Sequence, residues 1–238
     1  MPQHAKRIKV RRKDLRKPDE FETLTAQVLD WADANRSLVG AVVAGVLVVA
    51  AIVLGVSRWR AIRNESASVD FQAAHERFVA GAFADAARGF DQVATEYPSA
   101  PFGRLAGVYR AHALARSGDA AGAAKAYAAY LAGSPPTDYL RQEALTGLAR
   151  AKEASGDTKE ALDAFTQAGA IAGPFRTDAL LGAARLHEAA GEADKAREIY
   201  ASLLRDGSDP ELKALLESKV PPDARRAAAA AETDVQPR

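Results

Sequence analysis

Residues 67–100 read ASVDFQAAHERFVAGAFADAARGFDQVATEYPSA, and the same arrangement of small and aromatic residues returns three more times along the chain. Its landmark is Gly81, matched by Gly118, Gly156 and Gly191 at successive intervals of 37, 38 and 35 residues. Seven residues before each glycine stands an alanine: Ala74, Ala111, Ala149 or Ala184. Five residues after it stands another, Ala86, Ala123, Ala161 or Ala196, and nine after it an aromatic, Phe90, Tyr127, Phe165 or Tyr200. Pro98 and Pro135 lie seventeen residues beyond the first two glycines, while Pro174 and Pro210 fall one or two places later. A fixed period of this size is the mark of stacked repeats.

Each residue type has a physical task in a helical hairpin. Glycine ends the first helix in a left-handed turn that other residues enter only with strain. The two alanines let the paired helices approach closely. The aromatic fills the gap between neighbouring hairpins, and the proline stops the second helix before the next repeat begins.

These residues resemble tetratricopeptide (TPR) repeats, whose period is about 34 residues, and the likeness covers roughly residues 67–208. The resemblance implies an all-α fold: a right-handed solenoid of about four hairpins over residues 67–219, closed by a capping helix near residues 209–219 with a polar outer face. The large aromatic usual in the first helix is absent, its place taken by Arg77, Leu114, Lys152 and His187. In TPR proteins the first helices line a concave groove. Carried over by position, the groove residues here are Phe71, His75, Phe78, Val108, His112, Arg116, Arg150, Leu181 and Arg185. Such a groove runs from apolar to arginine-lined along the chain. TPR carboxylate clamps combine Lys, Asn and Arg, and the Asn and Lys members are missing, which argues against a reader of C-terminal carboxylates. Phe, Val and Leu edged by Arg suit an extended or partly unfolded polypeptide.

Ahead of the repeats, residues 37–57 read SLVGAVVAGVLVVAAIVLGVS without a single charge. At about 1.5 Å per residue the stretch spans roughly 30 Å, the thickness of a hydrocarbon core. Arg36 precedes it and Arg58 and Arg60 follow, with Trp31 and Trp59, the chain's two tryptophans, near its ends where indole rings favour the interface. The long polar segment before it is unlike a cleaved signal peptide. Residues 37–57 therefore read as a single transmembrane helix. About ten polar residues separate it from the first repeat.

The chain carries a formal net charge of +1, but residues 6–17, KRIKVRRKDLRK, hold eight basic residues and one acid, so the remainder is net acidic. Residues 1–17 bury too little apolar surface to fold and read as a basic arm that meets anionic lipid. No aromatics are interleaved with its charges, so base stacking has no platform and nucleic acid is not an expected partner. Pro18 then opens an amphipathic juxtamembrane helix over residues 18–34, with Phe21, Leu24, Val28 and Trp31 at helical spacing and acids in its first turn. The dense arm places the N-terminus in the cytoplasm, although a count restricted to about 20 residues on each side favours the reverse. Residues 220–238, with their alanine run, read as a disordered tail.

Catalysis has no candidate. The chain has no cysteine, which removes thiolate chemistry and cysteine-based metal sites. His4, His75, His112 and His187 show no metal-ligand spacing, and there is no P-loop, GxSxG or dinucleotide fingerprint on a strand. His75 and His112 read as ordinary partly buried residues, and no cofactor is expected. The layout of short N-terminal segment, one membrane helix, divergent TPR domain and the closing ALLESKV at residues 214–220 resembles the YfgM-like ancillary subunits of the SecYEG translocon. That resemblance implies a periplasmic repeat domain on the bacterial inner membrane that binds the translocon, its passengers and periplasmic chaperones. An assembly scaffold for a cell-division, pilus or cytochrome-maturation complex is the other function this layout serves.

Replacing Leu47 and Ala51 together with arginine sets about 5 kcal/mol or more against insertion of residues 37–57. Alkaline extraction of membranes is expected to release the double variant and retain the parent. Equal release of both would remove the membrane reading.

Overall fold

The computed structural model describes residues 20–133, 135, 137–207 and 210–222, and for residues 20–24 the backbone alone. The basic arm at 1–17, the expected helix start at 18–19 and residues 223–238 of the expected tail lie outside the described residues, whereas Val220, which the sequence assigned to that tail, is buried in the last core cluster.

All regular structure among the described residues is helical. Ten helices follow one another: α1 (Glu20–Ala34), α2 (Arg36–Val79), α3 (Phe83–Glu96), α4 (Pro101–Arg116), α5 (Ala120–Ala132), α6 (Asp138–Ala154), α7 (Thr158–Ala170), α8 (Arg176–Ala189), α9 (Ala193–Arg205) and α10 (Pro210–Lys219). They divide into two units, one ending at Arg60 and one beginning at Ala61.

In the first unit, α1 and α2 are separated by Asn35 alone, whose side-chain amide donates to the Trp31 carbonyl at 2.9 Å. The apolar stretch of α2 is exposed along its length, with Val46, Leu47 and Leu54 all more than half accessible. One described helix is thus long and apolar enough to cross a membrane. The roughly ten polar residues between Ser57 and Ala67 are helical and belong to α2. No glycine or proline occurs between them to stop the helix.

The second unit is a stack of four hairpins, the end of α2 with α3, then α4 with α5, α6 with α7 and α8 with α9, followed by α10 against α9. Each hairpin turns at one of the repeat glycines. Gly118 and Gly156 both sit at φ 87°, a conformation that a Cβ would strain. The amide after each glycine reaches back to the carbonyl five residues earlier, as in Asp119 to Leu114 at 3.0 Å and Asp157 to Lys152 at 2.8 Å, which satisfies the last carbonyls of the first helix. Asp119 caps α5 by accepting from the Gly122 amide at 2.8 Å, and Thr137 caps α6 from the Leu140 amide at 3.2 Å.

The alanines seven before and five after each turn glycine are fully or almost fully buried, as are the aromatics Phe90, Tyr127, Phe165 and Tyr200. Each of the first three rings meets the next hairpin at a point nine residues before its turn glycine. Phe90 lies 5.4 Å from the ring of Tyr109. Tyr127 and Phe165 lie instead against the helix backbone at Gly147 and Gly182, where an added Cβ would collide with them. Glycine inside a helix costs about 1 kcal/mol relative to alanine, and here it makes room for a buried ring.

Among the described residues, position 142 carries the one fully buried polar side chain of large size. Gln142 Nε2 donates to the carbonyls of Ala168 (3.1 Å) and Ile171 (2.7 Å), and its Oε1 accepts from the Phe175 amide at 3.2 Å. One side chain of α6 thereby satisfies the backbone of the connection between α7 and α8. Replacing Gln142 with leucine removes the side-chain partner of the Ile171 carbonyl and the Phe175 amide, at roughly 1–3 kcal/mol each, while the Ala168 carbonyl keeps the Ile171 amide at 3.2 Å. The midpoint of thermal unfolding is expected to fall by about 5 °C or more, and an unchanged midpoint would show that water serves these groups.

Candidate functional site

The first helices of successive hairpins, and the last of them with α10, are joined by close polar pairs about one repeat apart in sequence. His112 of α4 faces Glu143 of α6 at 3.5 Å, Arg150 of α6 pairs with Asp178 of α8, Glu153 of α6 with Arg185 of α8 at 2.6 Å, and Glu188 of α8 with Lys219 of α10 at 3.0 Å. Two of these rungs share one register. His112 and Arg150 each stand six residues before a turn glycine, and Glu143 and Asp178 each stand thirteen before the next one. The Arg–Asp rung is a hydrogen-bonded pair, while the His–Glu rung is a loose one.

A cleft of about 460 Å³ opens beside the loose rung. It is lined by Phe78 from α2, His112, Ala115 and Arg116 from α4, Ala120 and Tyr127 from α5, Glu143, Thr146, Gly147, Arg150, Ala151 and Ala154 from α6, and Phe175 from the connection before α8. Its walls are mostly apolar. Arg116 lays its guanidinium over the Phe83 ring at 5.1 Å and has no carboxylate partner among the described residues. The Thr146 hydroxyl is committed to the Gln142 carbonyl at 2.8 Å.

Burial governs the titration of this cleft. It pushes the Glu143 carboxyl above the usual carboxylate range and holds His112 below the usual imidazole range. A full ion pair would have moved both the other way, so at 3.5 Å desolvation outweighs attraction. The Tyr127 phenol is raised strongly, first by burial and then by the Glu143 charge, with Arg150 acting against both. Tyr130, also under the field of Glu143, has a buried hydroxyl without a hydrogen-bond partner.

Of the nine residues assigned to the groove from sequence, Phe78, His112, Arg116 and Arg150 meet in this cleft. Phe71 and Val108 do not belong to an open groove: both are buried. Phe71 sits among the rings of Phe90, Phe102 and Tyr109 at 5.2, 5.3 and 5.2 Å, and Val108 packs with the alanines of α4 and α5. Their place ten residues before the turn glycine is buried where the hairpin packs against the next one. His75 is wedged between Phe71 and Phe78, each 6.3 Å away, and Leu181 packs on the last core cluster. Arg185, expected to edge the groove, is bound to Glu153 through two nitrogens. The missing first-helix aromatic is replaced, in the third and fourth repeats, by polar side chains that reach across the turn. Lys152 reaches Asp157 at 3.1 Å and Glu160 at 2.7 Å across the turn, and His187 reaches Glu192 at 2.6 Å.

Glu143 and Phe175 are cleft residues that the repeat pattern alone did not single out. The signal for Glu143 was present, since an acid stands thirteen before both Gly156 and Gly191. Among the described residues no group of three potential ligands is placed to hold a metal ion.

A family model described as a tetratricopeptide repeat-like domain matches residues 31–222. A comparison with curated proteins gives no match. Among solved structures, the chain is similar to the MamA protein, with 18% identity over 71% of this chain and 89% of that one and a TM-score of 0.53. It is likewise similar to a tetratricopeptide repeat protein from Parabacteroides merdae, with 16% identity over 72% of this chain and 68% of that one and a TM-score of 0.56. At these identities the likeness is one of fold.

The raised carboxyl of Glu143 fixes the sign of a pH dependence. Its ionised form destabilises the folded chain at pH values above its raised pKa, and the cost disappears as the pH falls towards 4.5, where the unfolded chain also takes up the proton. Thermal unfolding of Glu143→Gln is therefore expected to occur above that of the parent at pH 8, with the gap closing towards pH 4.5. His112, whose pKa is lowered by burial, is neutral at pH 8 in both proteins and so does not set the sign of the difference there. A variant less stable than the parent at pH 8 would mean that an internal partner holds the carboxylate.

Proposed function

We propose that this chain, which belongs to the tetratricopeptide repeat-like domain family, is a membrane-tethered scaffold that binds extended polypeptide in the cleft formed by α4 and α6. The observation that carries the reading is a conjunction within one chain: an uncharged stretch at residues 37–57 on an exposed helix, and a repeat domain whose open cleft is walled by Phe78, Ala115, Ala151 and Phe175. A cleft with mostly apolar walls and a few polar groups suits a partner that brings side chains and not a reacting centre. The extended-peptide mode is a common use of such grooves.

In this reading residues 37–57 span the inner membrane of a bacterium and the basic arm stays in the cytoplasm against anionic lipid. The repeat domain lies on the periplasmic side, where it assists protein translocation at the SecYEG translocon or hands clients to periplasmic chaperones. The eight basic residues at 6–17 support this orientation, because short segments rich in Lys and Arg are retained in the cytoplasm. The resemblance of the layout to the YfgM-like subunits supports the translocon.

Two measurements test it. A reporter active only outside the cytoplasm, fused after Arg238, is expected to be active. A photoreactive residue at the exposed cleft position Ala115 is expected to crosslink to translocon subunits, translocating chains or chaperones, and a control at exposed Glu65 is not. An inactive reporter would overturn the orientation, and no adduct specific to Ala115 would overturn the cleft as the binding surface.

A further inference from the structure

We propose that the cleft is an anchor site for a lysine or arginine side chain of the bound polypeptide, with Glu143 as its counter-charge; this rests on the reading of the cleft as a polypeptide groove. The argument starts from the two rungs that share a register. In the Arg150–Asp178 rung an arginine on one first helix closes on a carboxylate of the next. In the equivalent rung the arginine is replaced by His112, whose ring stops 3.5 Å from the Glu143 carboxylate and makes no hydrogen bond to it. One rung of the ladder is therefore closed and the other lacks its cation.

The surroundings match a long basic side chain. Glu143 retains partial access, with 22% of its side chain exposed, and it lines the open cleft. The alanines at 115, 151 and 154 offer apolar wall for a methylene stem. Tyr127, itself buried, borders the same cleft within the field of Glu143. The other charges facing this volume leave Glu143 uncompensated. Arg150 is committed to Asp178 and Arg116 to the face of Phe83. An incoming acid would face Glu143 itself. Burial adds to the case, since a carboxylate stripped of water without a close partner gains more from an arriving cation than a solvated one does.

The test uses the full chain in neutral detergent and short fluorescein-labelled peptides of Leu, Val and Ser with Lys, Arg, citrulline, norleucine or Glu at the centre. The Lys and Arg peptides are expected to bind about tenfold tighter than the citrulline and norleucine peptides at pH 8, with the Glu peptide weakest. Glu143→Gln is expected to erase the preference, so that the Lys, Arg, citrulline and norleucine peptides bind it with similar affinities. His112→Arg supplies the missing cation from within the chain, closes the rung as Arg150 does, and is expected to lose the preference as well. Thermal unfolding of both variants reports that they fold. Neutral peptides that bind as tightly as basic ones would overturn the anchor and leave the groove standing. Binding of no peptide at all would overturn both. A basic preference that survives in Glu143→Gln or in His112→Arg would move the counter-charge elsewhere and overturn the assignment.

Discussion

The contact on which the rest of the stack depends is a ring from one hairpin lying against the first helix of the next. Phe90 meets Tyr109 in this way, and Tyr127 and Phe165 meet bare backbone at Gly147 and Gly182. The spacing that results is set on both sides. The alanines at the crossing points keep the helices of each hairpin close, and the ring keeps neighbouring hairpins apart by its own thickness. A methyl group at Gly182 would stand 2.6 Å from the Phe165 ring, so a substitution there must displace an aromatic that is almost completely buried. Repeat domains gain their stability from such interfaces between neighbours, because no single hairpin buries enough apolar surface to stand alone.

The repeated features were legible in the sequence because they recur at fixed offsets. Four glycines, eight alanines and four aromatics announce the hairpins, and all four turn glycines take positive φ. The offsets were less informative about direction. A residue ten places before a turn glycine shares a helix with the groove-lining residues, yet the helical rotation carries it into buried packing within and between hairpins, as Phe71 and Val108 demonstrate. Periodicity identifies a face but leaves open which of its edges is covered by the next element. Gln142 was illegible for a different reason. Its partners are backbone groups some 26 to 33 residues away, and no side-chain pattern marks a carbonyl.

Charge was the hardest part to read, because its meaning depends on the partner. Arg150 and Arg185 look like groove residues in a list of offsets, but both are bound across the repeat boundary to Asp178 and Glu153. Exposed ion pairs of this kind contribute roughly 0–1 kcal/mol each, too little to explain the fold. Their effect is on register: a first helix that slides by one turn past its neighbour separates every rung at once. Charges spent on register are unavailable to a ligand. The electrostatic character of the cleft is consequently set by the few groups the ladder leaves over, Glu143 and Arg116, and not by the total of charged residues along the face.

A mostly apolar, open cleft of this kind would bind the proposed polypeptide weakly by itself, and the proposed tether changes what weak binding can do. A polypeptide emerging within reach of a tethered groove meets it at an effective concentration set by geometry, up to the millimolar range for short connections. Under that condition a dissociation constant of tens of micromolar keeps the groove occupied, while rapid release lets the client move on. The same logic explains why a shallow, adaptable wall of alanine and aromatic side chains suffices. A scaffold that handles many extended segments gains nothing from deep complementarity to one of them, and it gains selectivity at little cost from a single fixed point of charge.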